Sequence, residues 1–158
     1  MEIRKANKKD ITRIDFLNEG EVPHVTSIGE KDWLHFLEIA SEFVVVEHEG
    51  KIIGFMVSLR EGMDYKSLNY NFFINHFKKF EYVDRIVISK EYQGNGFGRK
   101  LYEYLIEQNE TPILCCEVNS KPANPDSYAF HERMGFHEKS KMITEAGEKV
   151  VSLMVRNL

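Results

Sequence analysis

The run from Gln93 to Arg99, which reads QGNGFGR, is the part of this chain whose residue types most clearly indicate chemistry. A β-branched, apolar stretch precedes it and an amphipathic stretch follows it, so the run is predicted to join a strand to a helix. Such a turn presents unpaired backbone N–H groups at the positive end of a helix dipole, where a phosphate or diphosphate binds. Glycine also permits the positive φ angles of a tight turn. The sequence therefore predicts a phosphate-binding loop.

Two common phosphate loops fit this run poorly. A Walker A loop ends in Gly-Lys-Ser or Gly-Lys-Thr, whereas Gly98 is followed by Arg99 and Lys100. A dinucleotide-binding loop needs the spacing Gly-x-Gly-x-x-Gly, whereas these glycines stand at positions 94, 96 and 98. Glu117 lies where that fold places its ribose-binding acid, but no βαβ repeat surrounds the loop. A glycine-rich turn that binds nothing is the structural alternative.

The order and spacing of several motifs resemble the GNAT acetyltransferase superfamily. Gln93-x-x-Gly96-x-Gly98 resembles its Gln/Arg-x-x-Gly-x-Gly/Ala signature, whose loop holds the pyrophosphate of acetyl-coenzyme A. Residues 83–88 resemble its fourth strand and residues 114–119 its fifth. Residues 124–136, NPDSYAFHERMGF, resemble its Asn-x-x-Ala/Ser…Tyr-x-x-x-Gly-Phe block. The matches cover residues 82–136 in the family order, and they imply acetyl-coenzyme A as co-substrate.

The resemblance also implies which residues bind acetyl-coenzyme A. The loop would anchor the diphosphate through its backbone N–H groups, helped by the Arg99 side chain. The pantetheine arm would pair like an added strand along residues 86–88, where an N–H group would polarise the thioester carbonyl. The predicted cofactor-binding residues are Ile86, Val87, Ile88, Gln93, Gly94, Asn95, Gly96, Phe97, Gly98, Arg99, Asn119, Asn124 and Ser127.

The general base is harder to assign. An amine must lose a proton near neutral pH, and a carboxylate at the mouth of the site suits that role. Superfamily catalytic acids often stand at the position that Tyr82 fills here, so that carboxylate is missing. Asp84, which shares a strand face with Tyr82, is the predicted catalytic base, and Glu117 is the second candidate. An ion pair of Asp84 with Arg85 or Arg133 is the structural alternative.

His131 stands where the superfamily block has the tyrosine that protonates the leaving thiolate. Histidine has an unperturbed pKa of about 6.5, so His131 is predicted to serve as this catalytic acid or to contact the coenzyme sulfur. Tyr128 is the alternative acid, and a merely packed histidine is the structural alternative. His131 and His137 lie six residues apart without a metal-ligand motif, so no metal site is expected.

Size and composition narrow the class of protein. The chain has 158 residues and a formal net charge of −4, which predicts one domain over residues 1–158 and argues against nucleic-acid binding. No apolar run approaches the roughly twenty residues of a membrane span. Cys115 and Cys116 are adjacent in one strand, where neighbouring cysteines rarely bridge, so a reducing cytoplasm is the expected location.

Hydrophobic periodicity predicts the elements that position these residues. Residues 60–80 are crowded with aromatic side chains, and this long connection is interpreted either as a functional loop or as cover for the sheet edge. Within it, residues 71–79 are predicted to form a short helix. The other predicted elements are a strand at 2–6, a helix at 8–18 capped by Asn7, a loop at 20–26, a helix at 29–40, a hairpin of 43–47 and 51–58 turning at His48-Glu49-Gly50, a strand at 82–88, and a closing hairpin of 136–144 and 148–156 about Ala146 and Gly147.

The resemblance implies a mixed α/β fold with a twisted, mostly antiparallel sheet of about seven strands. Helices would cover both faces, and strands four and five would splay apart. The implied activity is acetyl transfer to a primary amine of a small molecule or peptide, by direct attack in a ternary complex, and a homodimer is an expectation of the superfamily. A coenzyme A-binding module without transfer chemistry is the alternative. It is supported by the missing carboxylate at Tyr82 and by the histidine that replaces the family tyrosine at His131. An interaction domain without cofactor is a third reading.

Overall fold

The computed structural model describes residues 1–144 and 147–158. The helices in the described residues are α1 (Ile11–Glu19), α2 (Glu30–Ile39), α3 (Leu68–His76), α4 (Phe97–Gln108) and α5 (Pro125–Arg133). The strands are β1 (Glu2–Lys5), β2 (Glu42–His48), β3 (Lys51–Arg60), β4 (Glu81–Ile88), β5 (Ile113–Lys121), β6 (His137–Thr144) and β7 (Lys149–Asn157). None of the helices in the described residues is long and apolar enough to span a membrane.

The strands form a sheet in the order β1-β2-β3-β4-β5-β7-β6. The β1–β2, β2–β3, β5–β7 and β6–β7 pairs are antiparallel, whereas β4 and β5 are parallel. The parallel ladder joins Glu81 to Leu114 and Tyr82 to Cys115, and it ends there although both strands continue. The mixed fold with a seven-stranded sheet, as well as the parting of strands four and five, is therefore confirmed.

The chain divides into two compact units. The first unit comprises Met1–Leu59 and Arg85–Asn109, and the second comprises Arg60–Asp84 and Glu110–Leu158. In the first unit, residues 53–59 of β3 are buried without interruption, so both faces of this strand are covered.

Local signals in the first unit follow the sequence closely. The Asn7 side chain accepts from the Lys9 backbone N–H at 2.9 Å and caps a single 3-10 turn that leads into α1, as predicted. Glu49 (φ 51°) and Gly50 (φ 76°) form the predicted tight turn between β2 and β3.

In the second unit, α3 begins three residues before its predicted start. The Ser67 hydroxyl accepts from the Tyr70 backbone N–H at 3.3 Å and fixes the start of the helix. The buried face of α3 supplies Tyr70 and Phe73, whose rings lie 5.5 Å and 5.7 Å from that of Tyr82. These aromatic side chains therefore form part of the core of the second unit.

The closing strands β6 and β7 pair as predicted, and β7 lies between β5 and β6. Gly147 has a φ of 89°, which suits a turn. Ala146, the other residue of the predicted turn, lies outside the described residues.

Candidate active site

The predicted phosphate loop connects β4 to α4 in the first unit. Gly94 (φ 80°) and Gly96 (φ 85°) both adopt the left-handed conformation, and α4 begins at Phe97. Most side chains disfavour this backbone region, so glycine at these two positions is a conformational requirement. The predicted order of strand, glycine turn and helix is confirmed.

The backbone at the start of α4 is available to an anion. Gly96 occupies the cap position and provides no side chain. No protein group in the described part of the chain accepts a hydrogen bond from the backbone N–H groups of Gly96, Phe97, Gly98 or Arg99. A Cβ atom placed on Gly94 or Gly96 would meet no atom within 4 Å. The loop therefore fits a diphosphate, because it combines unused donors, open space and the positive end of a helix dipole.

Side-chain amides fix the loop from within. The Gln93 Nε2 donates to the Ile88 carbonyl at 2.8 Å and to Oε1 of Glu21 at 3.0 Å. The Asn95 Nδ2 donates to the Tyr92 carbonyl at 3.1 Å. Glu21 could not be identified from the sequence, because nothing distinguishes it from other charged residues in loops and it lies far from Gln93 along the chain.

The Arg99 side chain contacts Glu103 one helical turn later, with Nε and Oε1 separated by 3.2 Å. Both side chains are more than half exposed, and an exposed pair of this kind contributes little stability. The guanidinium group is thus held only weakly, and its predicted role at a phosphate stays a prediction.

Three rings support the loop from the side of the sheet. His48 at the end of β2 lies 5.7 Å from the ring of Tyr92 and 5.2 Å from that of Phe97. The rings of Tyr92 and Phe97 lie 6.1 Å apart, nearly perpendicular to each other. These contacts join both ends of the loop to β2, and periodicity along the chain gave no indication of them.

Gly54 on β3 lets the end of β4 approach closely. A Cβ atom at this position would lie 2.8 Å from the Val87 carbonyl oxygen and 2.5 Å from Cδ1 of Ile88. The Ser89 backbone N–H also donates to the Ile53 carbonyl at 2.7 Å. The position of the backbone of residues 86–88, which is predicted to bind the pantetheine arm, therefore depends on Gly54. A glycine within a strand is the only feature of the sequence that indicates this close approach.

Two tyrosine hydroxyls meet two carboxylates in the second unit. The hydroxyl of Tyr82, which is fully buried, lies 2.8 Å and 2.7 Å from the two oxygens of Glu117. The Tyr65 hydroxyl donates to Oδ1 of Asp84. Burial, followed by the charge of Glu117, raises the pKa of Tyr82 well above its usual value, so this phenol stays protonated. The structure thus brings Glu117 and Asp84 to the same region of β4 and β5.

Arg85, one of the two cations considered as a partner of Asp84, forms hydrogen bonds within the first unit. Arg85 is buried, and its Nη1 donates to Oδ1 of Asn18 at 3.1 Å and to the Thr26 carbonyl at 3.0 Å. Its guanidinium carbon lies 5.4 Å from the ring centre of Trp33. Asp84 accepts from the hydroxyl of Tyr65, whose only signal in the sequence is its place among the aromatic residues of the long connection. An ion pair of Asp84 with Arg85 or Arg133 stays a prediction.

His131 is buried on α5, with its ring 5.1 Å from Phe130 and 5.4 Å from Phe136. Its Nδ1 lies 2.7 Å from the Ser127 carbonyl. Burial lowers the pKa of His131, while the Ser127 carbonyl opposes that change. The ring is therefore neutral near pH 7 with its proton on Nδ1, because a carbonyl can only accept. Its role as acid, which requires a second proton, stays a prediction.

The remaining predicted residues lie around the start of α5. The Asn124 side chain accepts from the Ser127 backbone N–H at 3.4 Å, and the Asn124 backbone N–H donates to the Asn119 carbonyl at 3.1 Å. Asn124 thus caps the helix, while Asn119 is buried at the end of β5. Burial raises the pKa of Tyr128, the alternative acid. In the described residues no group of three potential ligands is placed to hold a metal ion.

Comparison with protein-family models found one match. The model described as the acetyltransferase (GNAT) family covers residues 8–136, which include the phosphate loop, β4, β5 and α5. No curated protein sequence matches the chain significantly.

Solved structures resemble the chain over its whole length. A ribosomal-protein-alanine N-acetyltransferase from Brucella melitensis is 19% identical, covers 100% of both chains and has a TM-score of 0.75. Naa20 from Chaetomium thermophilum, in complex with a bisubstrate analogue, is 17% identical over 100% of this chain and 87% of its own, with a TM-score of 0.80. The putative acetyltransferase yncA from Salmonella typhimurium, with its cofactor acetyl-CoA, is 19% identical over 100% and 94%, with a TM-score of 0.73. At these identities the likeness shows the fold.

Proposed function

This chain belongs to the acetyltransferase (GNAT) family, and from that premise we propose that it transfers the acetyl group of acetyl-coenzyme A to a primary amine of a small molecule or peptide. Family membership makes the protein an acyltransferase with acetyl-coenzyme A as co-substrate. The class of acceptor, the site residues and their roles are our proposals. When bound, acetyl-coenzyme A supplies a thioester carbonyl as electrophile and a thiolate as leaving group.

The loop from Gln93 to Arg99 carries this proposal. Its open N–H groups at the start of α4 and its left-handed glycines support a role in holding the diphosphate. The side chain of Arg99, held only by an exposed pair, adds a phosphate-binding group. Among the polar side chains, Asn119, Asn124 and Ser127 are proposed to contact the pantetheine arm.

The backbone of β4 supplies the electrostatic part of catalysis. We assign the pantetheine arm to residues 86–88, with a backbone N–H near Ile86 or Val87 polarising the thioester carbonyl. The close approach at Gly54 supports this role, since it fixes the backbone there before any ligand arrives. A fixed donor aimed at developing negative charge typically contributes about 3–4 kcal/mol to lowering the barrier.

A carboxylate of the second unit takes the proton of the amine. We assign this role to Asp84, with Glu117 as the second candidate. The nitrogen then attacks the carbonyl carbon, an N–C bond forms, and the C–S bond breaks to release the thiolate. The acylated nitrogen passes its second proton to solvent. Both carboxylates are half-buried and each accepts from a tyrosine hydroxyl, which orients it. Deprotonating a lysine-like amine with a pKa of about 10.4 costs about 4 kcal/mol at pH 7, so an oriented base is needed.

The leaving thiolate receives its proton from His131 or from Tyr128. His131 lies in the matching position of the family block but must first be protonated, which its lowered pKa disfavours. Tyr128 carries its own proton at neutral pH, because the unperturbed pKa of tyrosine is about 10 and burial raises it further. A rate that falls with rising pH only when His131 is present would assign the role to histidine.

The experiment that tests the activity follows release of coenzyme A thiol from acetyl-coenzyme A in the presence of different amines. The panel contains small primary amines, lysine peptides and peptides with free N-termini, the peptides because a structure of similar fold is a ribosomal-protein-alanine N-acetyltransferase. Acetylated product is identified by its mass. We expect amine-dependent thiol release with at least one class. Binding of acetyl-coenzyme A without turnover of any amine contradicts the proposed transfer to amines.

A further inference from the structure

The carboxylate of Glu21 lies at the entrance of the phosphate loop, where its charge is unexpected. The loop is built to receive an anion, yet Oε1 of Glu21 accepts from the Gln93 side chain at 3.0 Å. Glu21 is half-buried and Gln93 is exposed, so the contact lies at the surface, where an arriving ligand can reach it. A carboxylate beside an anion site disfavours a second anion by charge repulsion.

The donors of Gln93 are fully used by this arrangement. A side-chain amide has two N–H donors, and the Gln93 Nε2 places one on Ile88 and the other on Glu21. The Ile88 carbonyl ends β4 and keeps its partner only if Gln93 stays in place. A phosphate oxygen that binds the Gln93 side chain must therefore replace the Glu21 carboxylate.

Glu21 belongs to a turn that is held firmly to the first unit. Its carbonyl accepts from the His24 backbone N–H at 2.8 Å. At the end of the turn, the Thr26 carbonyl accepts from both Asn18 and the buried Arg85. Because the backbone is fixed at both ends, the Glu21 side chain returns to Gln93 whenever the anion leaves.

We propose that Glu21 is a positioning residue that orients Gln93 in the free protein and limits the affinity of the phosphate loop for acetyl-coenzyme A. This inference rests on the proposed assignment of the loop as the diphosphate site. The Glu21 carboxylate accepts the Gln93 hydrogen bond that a phosphate oxygen would otherwise accept, and diphosphate binding displaces this carboxylate. The residue thereby makes release of coenzyme A easier and keeps the loop ordered between turnovers.

The test is the variant Glu21→Gln, which removes the charge but retains an oxygen that accepts from Gln93. Calorimetric titration with acetyl-coenzyme A is expected to give a Kd about three- to tenfold lower than that of the wild type at low salt, and the difference is expected to shrink at high salt as the charges are screened. S-acetylpantetheine, a donor substrate without phosphate, should show the same KM with both proteins.

Glu19→Gln is the matched control. Glu19 lies two residues earlier and accepts from the exposed Ser27 hydroxyl, with no contact to the loop, so its variant should bind like the wild type. A double-mutant cycle of Glu21→Gln with Gln93→Ala adds a second readout: the gain from Glu21→Gln is expected to be smaller when Gln93 is absent.

Unchanged or weaker binding of acetyl-coenzyme A by Glu21→Gln overturns the inference. Failure of the loop assignment itself is recognised separately by Gly96→Asp in the same titration. If Gly96→Asp abolishes binding while Glu21→Gln has no effect, the loop is the diphosphate site and the proposed role of Glu21 is wrong. If Gly96→Asp binds normally, the loop assignment falls together with the inference.

Discussion

At the scale of single residues, the proposed chemistry of the second unit depends on two tyrosine hydroxyls that donate hydrogen bonds to carboxylates. Tyr82 occupies the position where the family often has a catalytic acid, and its hydroxyl reaches across to Glu117 on β5. We propose that Asp84 supplies the missing carboxylate function, with Glu117 as the second candidate. Breaking the hydrogen bond between a buried phenol and a carboxylate costs free energy, because each group would be left without a hydrogen-bond partner.

The assignment of the base predicts a clear order of effects. Asp84→Asn keeps the size of the side chain and its contact with Tyr65 but cannot accept a proton, so we expect kcat to fall by about 10²- to 10⁴-fold. Glu117→Gln should reduce kcat less. The measurement is steady-state kinetics with a saturating amine. An acceptor amine with a lower pKa should partly restore the rate of Asp84→Asn, because it loses its proton without help from a base. If Glu117→Gln lowers kcat more than Asp84→Asn does, Glu117 rather than Asp84 is the base.

The buried His131 predicts a pH dependence of stability. Because its pKa is lowered by burial, there is a range below about pH 6.5 where the unfolded chain binds a proton at this residue and the folded chain does not. The free energy of unfolding therefore decreases as the pH falls through this range, by up to about 1.4 kcal/mol per pH unit, and is unaffected above it. Urea unfolding at pH 5.5 and 7.5 should show a smaller difference for His131→Phe than for the wild type. The exposed control His137→Gln should retain the full difference, and an equal loss in both variants would contradict this account.

Residue types alone predicted the candidates but not their partners. The His131 ring could be singled out because its position matches a motif, and the Asp84 carboxylate because it shares a strand face with Tyr82. The contacts of Asp84 with Tyr65 and of Gln93 with Glu21 join residues far apart in sequence, and no local pattern encodes them. Such pairs depend on how the elements pack, which one sequence does not specify.

At the scale of elements, the close approach of β4 to Gly54 is the feature that most directly connects packing to cofactor binding. Gly54→Ala would push a methyl group into the Val87 carbonyl, so we expect a loss of stability of about 1–3 kcal/mol and a higher KM for acetyl-coenzyme A. Thermal unfolding and steady-state kinetics measure the two effects. In Gly20→Ala the added methyl meets its nearest atom at 3.4 Å, and this control should change neither quantity. An unchanged KM for Gly54→Ala would mean that β4 does not hold the donor as proposed.

Elements with local signals were predicted well, and those defined by tertiary contacts were not. The cap at Asn7 and the turn at Gly50 follow from residue type. Helix α3 was placed three residues late because its aromatic residues show no clean helical period, and the cap at Ser67 was overlooked. The position of β7 between β5 and β6 follows from strand pairing alone.

At the scale of the whole molecule, the predicted single domain implies that the two units unfold together. The single tryptophan, Trp33, lies in the first unit, and the cluster of Tyr65, Tyr70 and Tyr82 lies in the second. We expect the thermal transition followed by tryptophan fluorescence, which reports on the first unit, to coincide with that followed by far-ultraviolet dichroism, which reports on both units. Two separate midpoints would contradict the single domain. The expected homodimer and cytoplasmic location stay predictions.

The most direct measurement of the central claim compares Gly96→Asn with Gly96→Asp in calorimetric titrations with acetyl-coenzyme A. The two side chains are nearly isosteric and both tolerate the left-handed backbone, so the pair differs mainly by one negative charge beside the open N–H groups. If these groups hold the diphosphate, Gly96→Asn should bind only moderately more weakly than the wild type, and Gly96→Asp should bind at least about tenfold more weakly than Gly96→Asn. Equal affinities of the two folded variants would show that the diphosphate is bound elsewhere.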